Sequence, residues 1–577
     1  MLASLPLILL FFLLDTVVAY YASSSAPGIR SAEAPPTELL KRLSAPSGLK
    51  RRDFNPANAS STVLGLTLSD DRSSYYTIIQ AGNISFRVAV DTASSDFWLL
   101  ASTCSGSDVC KSSPSYPLLY HSPSFGAVNG NQSAFSLSFA DGSSSSGFLA
   151  TETVQLGNLS NVNQVFGLVN STNVKLDSDI SGVLGMGFPR LSSFSSTAVN
   201  ATPFVNSLAQ QGALDYPLFG LSLTRDDGGT IALGAIDVNV VHNLSAIEWH
   251  KVLPFSPFNS ETNTSSYLQW VVRLPEVGIN GTNLNTQPTY PNITEQSLAL
   301  IDAGTNGIFG PYQDVSRIFE AFGEARLVDA TVGQWAVPCD TQITLSFNFG
   351  QGNLTLQPTD YLIGPVSGNP TSCLAWPRAV QNSGDGIDWQ LGTPFLRTVY
   401  SIFSYGIDGK EVPMIGFYPL TNTTAITQTP QQISSFFSSF HLTIATTLPN
   451  SLLSTPSATT APYIFNTSIP ASVGAIVTSG LGDDNYSAIL MGDPVNINTS
   501  ALPVITPPPT LVTLIVTDKS GAVLTSVEHV PTSSIALGVP PGQSSSGFSL
   551  FFGRGPIVEE VMLVVGVGLV CGMLFGL

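Results

Sequence analysis

Residues 88–98 of the chain read VAVDTASSDFW, in which a short apolar run leads into Asp91 and a group of small, hydroxylated residues. Residues 298–311, LALIDAGTNGIFGP, repeat this layout around Asp302. One such strand end is usually only a structural turn, but two with matching flanks, 211 residues apart, are typical of an internal duplication. The pair therefore predicts two lobes that each contribute one carboxylate to a shared site.

The sequence around these two segments has the pattern of β-structure. Between about 75 and 418, short runs alternate apolar with polar residues or are wholly apolar, and Gly, Asn, Asp and Ser separate them. Few stretches have a helical period; the candidates are 202–212 and 312–325. We expect an all-β fold with more than one globular unit, because 577 residues are too many for one ordinary core.

The composition excludes one class of partner. Asp and Glu total 39 against 21 Lys and Arg, which gives a formal net charge of −18. A surface this acidic repels nucleic acid.

The N-terminal residues indicate export. Residues 1–19 combine a long apolar stretch with small residues at its end, which is typical of a secretory signal peptide; a membrane anchor is the alternative. Residues 20–52 end in the basic triplet KRR, which predicts a propeptide cleaved after Arg52, although a solvated charge cluster has the same composition. Fifteen N-x-S/T sequons along the chain agree with a glycosylated, secreted protein.

The five cysteines predict two disulfide bonds. In a secreted chain the economical pairing joins Cys104 to Cys110 and Cys339 to Cys373, with Cys571 left in an apolar tail. A metal site is the alternative, but the chain has no CxxC motif and few histidines. We therefore expect no metal and no cofactor.

The composition shifts towards Ser, Thr and Pro after the β-rich part. Residues 421–460 are predicted to be a linker. Residues 461–540 are either a small β module or an extended stalk, and 511–530 have the pattern of a β-hairpin with the turn DKSG.

The last residues are typical of an anchor. Residues 545–577 follow the layout of a GPI-attachment signal, with small residues, a spacer and an apolar end, and Ser545 or Ser546 would carry the anchor. A transmembrane helix is the alternative, although the apolar run of 561–577 is shorter than the about 20 residues that a spanning helix needs.

With both aspartate segments in place, the chain resembles the pepsin-like aspartic proteases. Three further segments match that family in the right order: FADGSSSSG (139–147), which is similar to its flap, SGVLGMGF (181–188), and WQLGTPFLRTVYSIFSY (389–405). The resemblance covers about 75–418 and implies a bilobal all-β fold, with an N-lobe at about 75–240 and a C-lobe at about 241–418. The complete layout, with its anchor signal, resembles the fungal yapsin-type proteases.

The resemblance implies a mechanism. Asp91 and Asp302 would hold one water molecule and share one proton, because two adjacent carboxylates do not both ionise easily. One would act as general base and the other as general acid. Further roles follow from the family pattern. Thr92, Ala93, Ser94, Ala303, Gly304 and Thr305 would support the carboxylates, and Trp98, Phe139, Asp141, Gly142 and Ser143 would form the flap and contact substrate.

The sequence departs from the family at several of these positions. Ala93 replaces a glycine, Ala303 replaces a threonine, and Phe139-Ala140 replaces Tyr-Gly in the flap. Ala303 lacks the hydroxyl that would match Thr92, so half of a reciprocal hydrogen-bonded brace is expected to be missing. None of these changes removes a carboxylate.

The sequence therefore predicts a secreted, surface-anchored aspartic endopeptidase that is a monomer, acts on peptides at the outer membrane leaflet or cell wall, and works best in mild acid. The altered motifs leave a second hypothesis, a non-catalytic protein that binds peptide or glycan on the same scaffold. A third is a structural cell-wall glycoprotein whose Ser/Thr/Pro-rich tail performs the function.

Overall fold

The computed structural model describes residues 60–542, with gaps at 121, 140, 195–197, 199–200, 226–227, 255–266, 382–383, 408, 421–426, 455–485, 508–510, 518–522 and 530–534. The predicted signal peptide (1–19), propeptide (20–52) with Arg52, and anchor signal with Ser545 and Ser546 lie outside the described residues. Within the described part, no helix has both the length and the apolar character needed to cross a membrane.

The described chain consists mainly of strands. Those of the first half are β1 (Thr62–Leu68), β2 (Tyr75–Ala81), β3 (Ile84–Asp91), β4 (Phe97–Leu100), β5 (Gly126–Ala127), β6 (Ala134–Ser138), β7 (Ser144–Leu156), β8 (Leu159–Thr172), β9 (Ile180–Gly185), β10 (Leu218–Leu223), β11 (Gly229–Leu233), β12 (Ile236–Asp237) and β13 (Glu248–Lys251). Those that follow are β14 (Val271–Leu274), β15 (Glu276–Ile279), β16 (Thr282–Asn285), β17 (Ser297–Ile301), β18 (Ile308–Pro311), β19 (Arg326–Asp329), β20 (Gln334–Pro338), β21 (Leu345–Asn348), β22 (Asn353–Leu356), β23 (Leu362–Val366), β24 (Asn369–Ala375), β25 (Arg378–Val380), β26 (Trp389–Leu391), β27 (Val399–Ser404), β28 (Met414–Pro419), β29 (Val504–Ile505), β30 (Leu511–Thr517) and β31 (Val523–His529).

Helices are short. The α-helices are α1 (Asp108–Ser112), α2 (Phe204–Gln210), α3 (Tyr312–Glu320), α4 (Pro358–Tyr361), α5 (Thr393–Leu396) and α6 (Pro430–Ser439), and 3₁₀ turns occur at Val128–Asn131, Pro189–Leu191, Leu244–Ala246, Pro494–Asn496 and Thr499–Ala501. The two helical periods of the sequence correspond to α2 and α3. In α3, Val315, Ile318 and Phe319 are buried, which is the spacing of one apolar helix face.

One large sheet runs through the molecule. Fourteen of the described strands belong to it, in the order β13-β28-β27-β10-β11-β1-β2-β3-β9-β4-β8-β7-β5, with β6 paired to β7. The second half adds sheets of β14-β17-β26-β18-β25, β16-β15-β21-β22 and β19-β20-β24-β23. The expected all-β fold is confirmed, although β1 shows that it begins upstream of the predicted boundary at about residue 75.

The strand that carries Asp91 is held by its neighbours on both sides. Side chains alternate along β3, and Phe86, Val88 and Val90 are buried on one face. β3 pairs in parallel with β9, β9 pairs antiparallel with β4, and β4 pairs in parallel with β8. The end of β3, where Asp91 lies, is therefore fixed by a packed core.

The second half repeats this strand arrangement. β17 pairs in parallel with β26, β26 pairs antiparallel with β18, and β18 pairs in parallel with β25. The register matches as well. Val183 is paired with the residue two positions before Asp91, and Gln390 with the residue two positions before Asp302. Val183 and Gln390 thus occupy equivalent positions in the two halves.

The C-terminal extension differs from the sequence-based expectation. The composition of 421–460 predicts a linker, but α6 lies within it and buries Ile433 and Phe437 in the main core. Further along, Ile444 forms a β-bridge with Val366. The prediction of a linker is therefore wrong for this segment, because a few apolar side chains outweigh the polar average of the composition.

Residues 486–505 also pack on the protein body rather than forming a separate module. Tyr486, Leu490 and Leu502 belong to the main core, and β29 pairs in parallel with β12. The hairpin predicted at 511–530 is present as β30 and β31. The described residues up to Pro541 accordingly form one compact unit.

Both expected disulfide bonds are present. Cys104 is bonded to Cys110 with an S–S distance of 2.06 Å, and Cys339 is bonded to Cys373 with an S–S distance of 2.07 Å. The second bond links Cys339, directly after β20, to Cys373 within β24, and these two strands are paired antiparallel.

Candidate active site

The structure brings Asp91 and Asp302 together. Asp91 is the last residue of β3, and Asp302 directly follows β17. Gly304 lies against both carboxylates, since a methyl group built on it would be 2.5 Å from Asp91 Oδ1 and 3.3 Å from Asp302 Oδ1. The two carboxylates therefore face a common point, and this turn leaves no room for a side chain at Gly304.

Hydrogen-bond donors surround the Asp302 carboxylate. The Gly304 N–H donates to Oδ1 at 2.8 Å, and Thr305 Oγ1 and Gln390 Nε2 donate to Oδ2 at 2.6 Å and 2.9 Å. The Gln390 nitrogen also donates to Thr305 Oγ1 at 2.7 Å. Donors favour the ionised form of a carboxyl group, so Asp302 is arranged to hold a negative charge.

Asp91 has different surroundings. Burial, followed by the negative charge of Asp302, raises the pKa of Asp91 to about 7, against the smaller opposing effect of the nearby Ser94 hydroxyl and the Ala93 N–H. The Ala93 N–H donates to Asp91 Oδ1 at 2.9 Å. Burial and the neighbouring charge therefore favour the neutral form of Asp91.

The two aspartate turns are joined by a one-sided brace. Thr92 Oγ1 accepts a hydrogen bond of 2.9 Å from the Ala303 N–H and donates to the Ile301 carbonyl at 3.2 Å. Thr92 is fully buried, so these bonds form away from water. Ala303 has no hydroxyl to form the reciprocal hydrogen bonds, so half of the brace is missing, as the sequence predicts.

The substituted residue beside Asp91 has an apolar environment. Ala93 is half-buried and packs against a cluster from the second half that includes Leu268, Val271 and Leu298. Its methyl group therefore contributes to the contact between the two halves.

The expected flap forms a hairpin between β6 and β7. Its turn is closed by bonds from the Phe139 N–H to the Ser143 carbonyl at 2.9 Å and from the Gly142 N–H to the Phe139 carbonyl at 3.0 Å. Asp141 Oδ1 accepts from the Ser143 N–H and Oγ at 2.8 Å and 2.6 Å. Gly142 has a φ of 81°, which favours glycine, and Phe139 packs against the cluster that contains Trp98.

Sequence reasoning missed two polar residues of this region. Gln390 lies in β26, whose sequence is WQL. The signal that could have revealed it is a polar residue between two buried apolar ones. Asp96 is buried and accepts bonds from the Ser193 N–H and Oγ at 2.8 Å and 3.0 Å and from Ser192 Oγ. Burial raises the pKa of Asp96 to about 6.

The arrangement suits general acid–base chemistry. Two carboxyl groups face one point, and burial favours the neutral form of Asp91, so the pair could act on a water molecule and a carbonyl group bound between them. Within the described ranges, no group of three or more His, Cys, Asp or Glu side chains could hold a metal ion.

Comparison with known proteins identifies the family. The family model "Eukaryotic aspartyl protease" matches residues 74–413. An aspartic protease of Phaffia rhodozyma is 29% identical over 402 residues, covering 68% of this chain and 89% of its own length. Major aspartyl peptidase 1 of Cryptococcus neoformans var. grubii is 28% identical, covering 70% and 81%, and rhizopuspepsin-1 of Rhizopus niveus is 28% identical, covering 60% and 79%. With its repeated aspartate turns and strand arrangement, the chain belongs to the eukaryotic aspartyl protease family of aspartic-type endopeptidases.

Proposed function

We propose that this protein is a secreted, surface-anchored endopeptidase in which Asp91 and Asp302 act together on one water molecule. The observation that carries the proposal is the unequal environment of the two carboxylates. Asp302 receives hydrogen bonds that favour its charged form, whereas burial and the charge of Asp302 raise the pKa of Asp91 to about 7. In mild acid the pair then holds one proton, which it loses as the pH rises through about 7.

In the proposed reaction, Asp302 takes a proton from water while the water oxygen forms a bond to the peptide carbonyl carbon. Asp91 gives its proton to the carbonyl oxygen, which produces a neutral tetrahedral intermediate. The C–N bond then breaks as the nitrogen takes the proton from Asp302. Asp91 recovers a proton from a hydroxyl of the intermediate as the carbonyl re-forms, so the pair returns to its starting state.

Three sequence features support secretion and surface attachment. The apolar residues 1–19, the basic triplet that ends at Arg52, and the fifteen sequons are those of an exported, processed glycoprotein. Ser545 or Ser546 would then carry the GPI anchor. Release of the protein from intact cells by a phosphatidylinositol-specific phospholipase would support this anchor, whereas retention would favour a membrane-spanning helix.

The catalytic proposal is tested with purified protein, denatured protein as substrate and a pH series from about 3 to 8. We expect cleavage in mild acid, a decline near pH 7 as Asp91 loses its proton, and inhibition by pepstatin. Asp302→Asn should lower kcat at least about 10³-fold, because it removes the general base. Asp108→Asn, at an exposed position, is the control. Unchanged activity in Asp302→Asn would overturn the proposal.

A further inference from the structure

We propose that Gln390 is a positioning residue for catalysis, because its side-chain amide holds Asp302 in the charged form and in the orientation from which Asp302 accepts a proton. The inference rests on the proposed function of the Asp91–Asp302 pair. It assigns a role to a residue outside both aspartate motifs.

The first support is the strand geometry. In β26, Trp389 and Leu391 are fully buried, whereas Gln390 between them is half-buried. Because side chains alternate along a strand, Gln390 lies on the face opposite to its two neighbours. Its side chain reaches Asp302 on that face.

The second support is the closed pattern of hydrogen bonds. Gln390 Nε2 has two hydrogens, and the two acceptors in reach are Asp302 Oδ2 at 2.9 Å and Thr305 Oγ1 at 2.7 Å. The Thr305 hydroxyl then has its own proton free for Asp302 Oδ2, at 2.6 Å. The reverse orientation would place the amide oxygen of Gln390 against the Asp302 carboxylate, and two acceptors repel each other. The amide nitrogen therefore occupies this position.

The third support is the asymmetry between the two halves. The position equivalent to Gln390 is Val183, which is buried among apolar side chains. The strand arrangement therefore forms equally well with an apolar residue there. The polar residue occurs only in the half whose carboxylate is surrounded by donors, which indicates a role in charge placement rather than in folding.

The electrostatic surroundings make this contribution easy to isolate. Gln390 and Thr305 are uncharged at all relevant pH values, and the residues paired with Gln390 on the adjacent strands are Leu300 and Phe309. Asp91 is a titratable group that faces Asp302. A change at Gln390 should therefore alter the pH dependence through Asp302 itself.

The test compares the pH dependence of kcat/KM in the wild type and two variants. Gln390→Val copies the residue of the other half and removes both donors. The charged form of Asp302 then loses two donors, so the Asp91–Asp302 pair takes up its second proton at higher pH and the acid limb should move up by about one pH unit. At the optimum, kcat should fall about tenfold while KM changes less than about twofold, because the donors act on the reacting carboxylate.

Gln390→Glu should instead shift the alkaline limb of the pH profile, and it should shift that limb to lower pH. The introduced carboxyl group, when protonated, can still donate to Asp302, but its ionisation places a second charge beside Asp302 and disfavours the active state. The decline in activity on the alkaline side should therefore begin at lower pH than in the wild type. This variant also keeps the inference testable if Gln390→Val folds poorly.

Gln155→Val is the matched control, because this strand glutamine is half-buried like Gln390 and donates to the Gly157 carbonyl, away from the two aspartates. Its pH profile should match that of the wild type. Thermal unfolding shows whether the two Gln390 variants are folded. If both are folded and also give the wild-type pH profile, the inference is overturned. If the wild type were inactive, or Asp302→Asn retained activity, the proposed function would fail instead.

Discussion

Thr92 and Ala303 are joined by a hydrogen bond of 2.9 Å in which the Thr92 hydroxyl accepts from the Ala303 N–H. The same hydroxyl donates to the Ile301 carbonyl at 3.2 Å, so one side chain links the two aspartate turns through both of its bonding functions. Ala303 has no hydroxyl that could form the reciprocal hydrogen bonds. The loss of the Thr92 hydroxyl should therefore lower the free energy of unfolding more than it would in a symmetric brace.

We therefore expect Thr92→Val to lower the free energy of unfolding by about 1–3 kcal/mol, since it leaves a buried N–H and a buried carbonyl without their partner. The activity should fall as well, because the two carboxylates lose their fixed relative position. Denaturant unfolding and kcat/KM on one peptide measure both effects. An unfolding free energy equal to that of the wild type would contradict this interpretation of the brace.

Ala303→Thr should act in the opposite direction. It supplies the missing hydroxyl at the position equivalent to Thr92, and one net hydrogen bond contributes about 1 kcal/mol. Ala303→Val adds similar volume without a hydroxyl and serves as the control for crowding at this buried position. The prediction is wrong if the two variants have the same unfolding free energy.

The two turns also differ in their tolerance of a methyl group. Gly304→Ala would place a carbon 2.5 Å from Asp91 Oδ1, so the carboxylate must move. We expect a loss of about 10²-fold in kcat/KM, because small displacements of reacting groups are costly. Ala93→Gly should instead cost about 1 kcal/mol of unfolding free energy through lost packing, with little effect on activity. Equal effects of the two changes on activity would contradict the observed asymmetry.

The sequence predicted the two carboxylates because each lies in a contiguous motif. Apolar residues, Asp and small residues follow one another along the chain, and the repetition of this pattern is visible without a structure. Gln390 was missed for a physical reason. It reaches Asp302 across 88 residues of sequence, and that contact depends on the register between β17 and β26, which composition and periodicity do not specify.

The composition of 421–460 predicts a linker because composition averages over a window. The residues TPQQISSFF at 429–437 contain an N-cap threonine, proline at the first helical position and glutamine at the third, followed by apolar residues at helical spacing. That local signal predicts α6 correctly. It was outweighed by the surrounding Ser and Thr, although Ile433 and Phe437 alone are enough to attach the helix to the core.

The buried carboxyl groups predict a protein that is most stable in mild acid. Burial is the largest cause that raises the pKa of Asp91 to about 7 and those of Asp96 and Asp314 to about 6. The folded state therefore binds these protons more tightly than the unfolded chain, so their contribution is complete below about pH 4 and is lost as the pH rises towards 7. His250 acts in the opposite sense below about pH 6.5, because burial lowers its pKa to about 4. The combined contribution of the three carboxyl groups to stability exceeds that of His250, so Tm should fall between pH 4 and 7.

Asp96→Asn isolates one of these contributions. The amide does not titrate, so the fall in Tm between about pH 4 and 7 should shrink by roughly 2–4 °C, whatever the variant's Tm at pH 4. Asp108→Asn, at an exposed site, should leave the slope unchanged. Calorimetric scans at several pH values measure the slope, and identical slopes for Asp96→Asn and the wild type would contradict the assignment.

The C-terminal extension should be required for folding rather than serving as a detachable stalk. Its residues Tyr486, Leu490 and Leu502 join the core, and Glu411 of the body accepts bonds from the Leu490 N–H at 2.6 Å and from the Ile489 N–H. Glu411 Oε2 also accepts from a tyrosine of the first half at 2.6 Å. Removal of the extension would leave this buried carboxylate with fewer donors and expose the apolar surface that the extension covers.

A chain that ends at Leu420 loses Ile433, Phe437 and the three core residues of 486–505 together. Each large buried side chain contributes about 2–5 kcal/mol, and the sum is comparable with the about 5–15 kcal/mol that stabilises a whole domain. We therefore expect this truncated chain to aggregate or to show no cooperative unfolding, whereas a chain that ends at Pro541 should unfold like the full-length protein. Calorimetry and size-exclusion chromatography of the two chains decide the matter. A chain ending at Leu420 with normal Tm and activity would show that folding does not need the extension, as expected if 461–540 were only an extended stalk.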